Sequence, residues 1–219
     1  MKQLKFISTI IILIGLFSCA EVAPRVTFNE PQPTETKNLS KFPNRLQGRY
    51  LSLADNSELV IGDKLIQRVY DFDLKFHSSE LASNRRLSGD TIIDIVTNER
   101  EVVKRDGDSL VEHIHRIDTL FQINNDNVVR KFKGYYFLNK RYFQAGWEVK
   151  KIELSRGQLI ISSISEMEDI ESLKAITEST QDTVAPDKFT ITKKQFKKFI
   201  KNDGFSDSET FIKTKKKNL

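Results

Sequence analysis

The chain has three histidines, and two of them form the pair His113-x-His115. Residues two apart on a β-strand share a face, so these imidazoles would stand about 7 Å apart, close enough to share a metal ion. Asp71, Asp73 and His77 fall on one face of another expected strand and could complete a nitrogen and oxygen ligand set if the two strands were neighbours. Val111 and Ile117 lie on the same face as His113 and His115, which is the pattern of a partly solvated strand. His113 and His115 are therefore weak metal candidates, and neither a metal nor a cofactor is expected. Nucleophilic chemistry has less support. No serine sits in a Gly-x-Ser-x-Gly elbow, no glycine-rich loop leads into a helix, and the chain has a single cysteine, Cys19. Carboxylate pairs such as Asp71 and Asp73 are common on exposed strands, so no catalytic residue is assigned and the chain reads as non-enzymatic.

Two further clusters could bind rather than react. Tyr135, Tyr136, Phe137, Tyr142, Phe143 and Trp147 form the densest aromatic stretch. Tyr135, Tyr136, Tyr142 and Trp147 are weak candidates for a carbohydrate or apolar-ligand platform, against the alternative that the stretch is cross-strand packing. Residues 188–219 hold ten lysines against Asp203, Asp207 and Glu209, a local net charge of +7 in a chain of net +5. Lys193–Lys217 could contact an anionic surface, at about 1 kcal/mol per basic residue. The alternative is the solvated face of an amphipathic helix with a frayed tail. A balance this small gives no reason to expect a nucleic-acid partner.

Cys19 ends a distinct amino terminus. Met1-Lys2-Gln3-Leu4-Lys5 is basic, and Phe6–Phe17 is apolar but for Ser8, Thr9 and Gly15. The apolar run falls short of the roughly 20 residues that span a bilayer as a helix, which fits an export signal better than a retained anchor. Leu16-Phe17-Ser18-Cys19 resembles the lipobox of bacterial lipoproteins. The resemblance implies cleavage before Cys19, a covalent lipid on that residue, and attachment to a membrane of the cell envelope. More than one acyl chain makes such attachment stable. Ala20 follows Cys19 where an aspartate often marks inner-membrane retention, which favours the outer membrane. Removing residues 1–18 takes away two lysines and no acid, leaving a net charge of +3. The lysine- and asparagine-rich mature chain also resembles the small, uncharacterised envelope lipoproteins of Bacteroidota.

The remaining sequence predicts the elements that would position these groups. Residues 19–46, with Pro24, Pro31, Pro33 and Pro43, read as a lipidated terminus and proline-rich tether. Their last third, with Leu39, Phe42 and Leu46, is the part that could pack on the domain. No further proline occurs until Pro186, as suits a sheet whose backbone donors are all committed to ladders. Turn pairs at Gly62-Asp63, Gly89-Asp90, Asp106-Gly107 and Arg156-Gly157 divide alternating or β-branched runs. About eleven short strands are predicted, among them Glu58–Ile61, Leu65–His77, Ser109–Ile117, Leu120–Ile123 and Val128–Leu138. In Leu65–His77, Phe72, Leu74 and Phe76 fall on the expected core face.

The fold class is mainly β, an antiparallel meander forming an open sheet, a sandwich or a barrel, with two or three short carboxyl-terminal helices. Ser165-x-x-Glu168 and Thr192-x-x-Gln195 are capping boxes opening helices, Gly204 suits a left-handed cap, and Ser206-x-x-Glu209 would start a further turn. The divisions are a signal peptide at 1–18, the tether at 19–46, a meander domain with closing helix at 47–177, and a linker with a basic helical segment at 178–219. Function remains open between three readings. The first is a non-catalytic lipoprotein that binds a partner protein or envelope component. The second is a carrier holding a lipid or other apolar ligand inside a barrel. The third is a metal-dependent enzyme using His113 and His115.

Overall fold

The structure is a computed structural model that describes residues 24–142, 145–177 and 187–214. Cys19, the signal segment, Phe143, the 178–186 linker and the Lys215–Lys217 tail lie outside the described residues.

The strands, in chain order, are β1 (Val26–Phe28), β2 (Asn38–Leu39), β3 (Gly48–Ser52), β4 (Glu58–Ile61), β5 (Leu65–His77), β6 (Arg85–Ser88), β7 (Thr91–Asp94), β8 (Arg100–Asp106), β9 (Ser109–Gln122), β10 (Asn127–Phe132), β11 (Tyr135–Tyr142), β12 (Gly146–Ser155), β13 (Gln158–Ser163), β14 (Asp187–Phe189) and β15 (Asp207–Lys213). The helices are α1 (Met167–Thr177) and α2 (Lys193–Lys201). The protein is thus mainly β, and its strands form one open sheet in the order β2-β10-β11-β12-β13-β15-β3-β4-β5-β9-β8-β7-β6. Pairing is antiparallel throughout except for β1 with β14.

The sheet rolls up. β10 and β9 are eight ladder steps apart in the strand order, which would separate them by about 38 Å in a flat sheet. Yet Val129 of β10 and Phe121 of β9 share one core with Tyr50, Leu59, Tyr136, Ile152 and Phe211. Side-chain alternation then divides β11 between two layers. Tyr136 and Leu138 point into the roll, while Phe137 points outward, where α1, α2, β1 and β14 cover it with Phe196, Phe199, Leu173 and Phe28.

Three local expectations are met for their stated reasons, and three are not. Thr192 and Gln195 form the reciprocal capping box of α2, and Phe196 and Phe199 are fully buried beneath it. Phe205 packs back on Phe199, ring centroids 5.3 Å apart. The box at Ser165 does not form, because the Ser165 hydroxyl donates to Asp207 Oδ2 at 2.9 Å instead. Gly204 is not the left-handed residue after α2; Asp203 and Phe205 are, at φ 56° and 75°. What Gly204 supplies is the absence of a Cβ, which would stand 2.4 Å from the Phe199 ring. The turn expected at Ser206-x-x-Glu209 is instead the start of β15, a central strand paired to β13 and β3.

The expected division of the chain is corrected at both ends. From residue 24 the tether is part of the fold. Val26, Phe28, Phe42 and Leu46 are buried, β1 pairs with β12 and β14, and β2 pairs with β10. The carboxyl-terminal segment is likewise no appendage, since β14, α2 and β15 complete the core.

β5 and β9 outrun the roll. β4 pairs with β5 only as far as Val69, whereas β5 and β9 stay paired to His77 and Ser109. Thirteen residues make β5 about 43 Å long. Its outer part is therefore an arm, tipped by β6, β7 and β8 around a small core of Ile92, Val103 and Leu110. Between roll and tip, Tyr70–Asp73 and His113–Arg116 form a stem that is two strands wide among the described pairings.

Candidate functional site

The mouth of the roll and the stem of the arm are continuous, because the inward face of β5 carries Ile66 and Arg68 in the mouth, Tyr70 and Phe72 along the stem, and Leu74 at the stem's outer end. The mouth is a cavity of about 370 Å³ with an apolar floor that includes Phe121, Leu138 and Phe211. Its rim carries Arg68, Lys140, Lys150, Glu148, Asp207 and Glu209. Arg68 is the most heavily bonded of these. Its Nη1 donates to Glu209 Oε2 at 3.0 Å, Nη2 to Glu209 Oε1 at 2.5 Å and to both Asp55 oxygens at 3.0 Å, and Nε to Ser57 Oγ at 2.6 Å.

This network sets the ionisation of its members. Partial burial opposes charge on Asp55, but hydrogen bonds from the Ser57 hydroxyl and amide, then from Arg68, outweigh it and hold the carboxyl far below the usual carboxylate range. Burial likewise works against the Arg68 charge and is outweighed by Glu209 and Asp55, so the guanidinium pKa is raised. Asp207, which accepts from the Ser163 and Ser165 hydroxyls, is also held low. Arg68 is thus committed to structure, and the rim sets three cationic side chains against three carboxylates. A cavity with such a rim suits a polar or amphipathic ligand better than a wholly apolar one.

The stem brings the histidines and aspartates together. Asp71 is paired with His115 across the ladder, and Asp73 with His113. His113 Nδ1 lies 2.9 Å from Asp73 Oδ1, His115 Nδ1 lies 3.2 Å from Asp71 Oδ2, and His113 Nε2 lies 3.6 Å from Asp71 Oδ1. All four side chains are more than half exposed. His77 is elsewhere, its Nδ1 held by Ser79 at the end of the strand. A His–Asp pair can orient an imidazole as a base, but among the described residues no Ser, Thr or Cys side chain bonds to His113 or His115. No group of three or more His, Cys, Asp or Glu side chains among the described residues is arranged to hold a metal ion.

No family model, curated protein or solved structure matches this chain.

The aromatic stretch does not form one platform. Tyr136 is buried inside the roll, its hydroxyl accepting from Arg45 Nε at 2.7 Å, and Phe137 is buried under the helices. Tyr142 lines the mouth near Glu148, while Tyr135 packs against the outer core and Trp147 sits opposite Phe28 across the β1–β12 pairing.

Phe72 and Leu74, expected in a core, are 47% and 45% exposed, because the roll ends at Val69 and their face runs on into solvent. Arg116 stacks on Tyr70 of the same face at 4.3 Å. Sequence reasoning missed the Arg68 network. The available signal was an arginine on the apolar side of an alternating strand, Ile66-x-Arg68-x-Tyr70, where a charge requires partners.

Proposed function

We propose that this protein is a lipid-anchored protein of the bacterial envelope, directed to the outer membrane, whose β domain is a non-catalytic binding module. The arm grips a partner protein or envelope component. The observation that carries this reading is the stem. A ribbon two strands wide is marginal on its own, yet here it is held beyond the roll with Phe72 on it and Leu74 at its outer end, both about half exposed on one face. Its other face carries the exposed Asp71, Asp73, His113 and His115 ladder. An apolar stripe with a polar reverse face suits a protein surface laid along the stem. No helix among the described residues is long and apolar enough to cross a membrane, and on this reading the lipid on Cys19 supplies the attachment.

A photo-crosslinking amino acid at Phe72 in intact cells tests the arm. The expected result is a discrete adduct that disappears with Leu74→Ser, while the same probe at Ile212, exposed on β15, gives none. Adducts of equal yield and pattern from both positions would overturn the assignment.

A further inference from the structure

A second concavity lies on the helical side of the sheet, with a volume of about 760 Å³. Its walls are the segment after β1, with Gln32; the β10–β11 turn, with Phe132 and Lys133; and the first turns of α2, with Lys193, Lys194 and Lys197. Glu30 and Glu35 are the acids of this lining, so it carries a net charge of +2. Lys193 Nζ donates to the Glu35 carbonyl at 3.1 Å and lies 5.7 Å from the Phe132 ring centroid. Lys133, Lys194 and Lys197 form no ion pair among the described residues. The positive end of the α2 dipole adds to their field.

Gln32 supplies an independent observation. It is 1% exposed, and its backbone is clamped by Asn139, whose Oδ1 accepts from the Gln32 amide and whose Nδ2 donates to the Gln32 carbonyl. Its Nε2 donates to the Glu30 carbonyl at 3.1 Å. Its Oε1 is the one buried side-chain polar atom among the described residues that has no partner. Flipping the amide would set an acceptor against the Glu30 carbonyl, so the orphan persists either way. Buried acceptors are rarely left unpaired, and this one calls for a donor.

We infer that this cleft binds an anionic polyol, a sugar or inositol ring bearing phosphate or carboxylate. A ring hydroxyl donates to Gln32 Oε1, the anionic group meets Lys194 and Lys197, and Phe132 faces the apolar edge of the ring. The same chemistry is offered by a free sugar phosphate and by a lipid headgroup. β1, which leads into the cleft wall, begins seven residues after Cys19, a reach of at most about 25 Å. A headgroup of the anchoring membrane is therefore accessible if the lipidation reading holds, whereas the soluble source does not depend on it.

Calorimetric titration of the full chain in detergent with glucose 6-phosphate, glucose and inorganic phosphate tests the inference. Saturable binding of glucose 6-phosphate, about tenfold or more tighter than either part alone, is expected. It should be lost in Lys194→Ala/Lys197→Ala at unchanged Tm. Gln32→Met should reduce the preference over inorganic phosphate, and the lysine pair decides the matter if Gln32→Met does not fold. Flotation of the Cys19→Ala chain with phosphatidylcholine vesicles containing phosphatidylinositol, or phosphatidylglycerol at equal charge, separates the sources. Preference for phosphatidylinositol without glucose 6-phosphate binding assigns a headgroup. Binding of neither probe, binding governed by charge alone, or binding that survives the lysine substitutions overturns the inference.

Discussion

Arg68 is the residue through which the mouth of the roll can be perturbed most cleanly. Arg68→Met keeps the side-chain length and removes a guanidinium that is only 15% exposed, leaving Asp55 and Glu209 without their shared cation. Hydrogen bonds to charged groups contribute about 1.5–3 kcal/mol each when buried. Asp55 and Glu209 are 41% and 31% exposed, so water recovers much of that, and a net loss of about 2–3 kcal/mol at pH 7 is expected. In a chain of this size that lowers Tm by about 5–10 °C. The loss has a pH signature. Asp55 has a folded pKa below its unfolded value of about 3.9, so its contribution is present above that pH and is lost as pH falls toward the folded pKa. Burial opposes this depression, and Ser57 outranks Arg68 among the bonds that cause it, so Arg68→Met removes the pH dependence only in part. Urea denaturation of both proteins at pH 7 and at about pH 3 measures it. The gap between them should narrow at the lower pH. A gap below about 0.5 kcal/mol at pH 7, the scatter of ordinary surface substitutions, or an equal gap at both pH values, would refute the reasoning.

Gly204→Ala puts a Cβ 2.4 Å from the buried Phe199 ring and should cost about 1–3 kcal/mol by overpacking. Phe199→Leu in the same chain should relieve part of that cost, and additivity in a denaturation cycle would count against the contact. His113→Ala/His115→Ala removes exposed pairs worth about 0–1 kcal/mol in total. Partner adducts at Phe72 should survive it, whereas a Tm that zinc raises in the parent but not in the variant would revive the metal reading. Cys19→Ala should abolish incorporation of radiolabelled palmitate and release the protein from membranes, and persistent labelling would show the lipobox reading to be wrong.

What was legible in the sequence is what short-range physics controls. Strict alternation placed Leu65–His77 and Glu58–Ile61 at their observed bounds, and the α2 capping box lies within four residues. The run expected as one strand from Val128 to Leu138 breaks because Lys133 and Gly134 both take positive φ, a turn that Gly134 alone signals weakly. The strands expected at Ser109–Ile117 and Leu120–Ile123 fall, but for Ile123, in the one strand β9, whose register shifts opposite Ile66/Gln67, so an irregularity looked like a boundary. β1 is three residues long and is paired to a segment some 160 positions away, which no local pattern reveals. Separation in sequence, here 40 positions, also hid the site. His113 and Asp73 were each visible as residues with chemistry, but only the β5–β9 register makes them neighbours. Ser165 failed as a cap because Asp207 arrives from β15.

The short path into the fold changes what the proposed lipid attachment would do. A tether of residues 19–46 would have let the domain range far from the membrane, whereas residue 24, the first described residue, already belongs to the folded segment only five positions after Cys19, a span of at most about 18 Å. Reach must then come from the domain itself. β1 sits against β12, and β5 stands five ladder steps from β12 in the sheet, so the arm is built on strands that the entering segment does not pair with. The arm and the helical face differ in charge. Residues 70–118 hold eleven acids and seven lysines and arginines, while the outer face of α2 carries Lys194, Lys197, Lys198 and Lys201, all exposed. Beside an anionic membrane, the lysine face is drawn inward and the arm repelled. On the lipid-anchored reading, Phe72 and Leu74 are thereby presented away from the bilayer, where a partner rather than lipid would meet them.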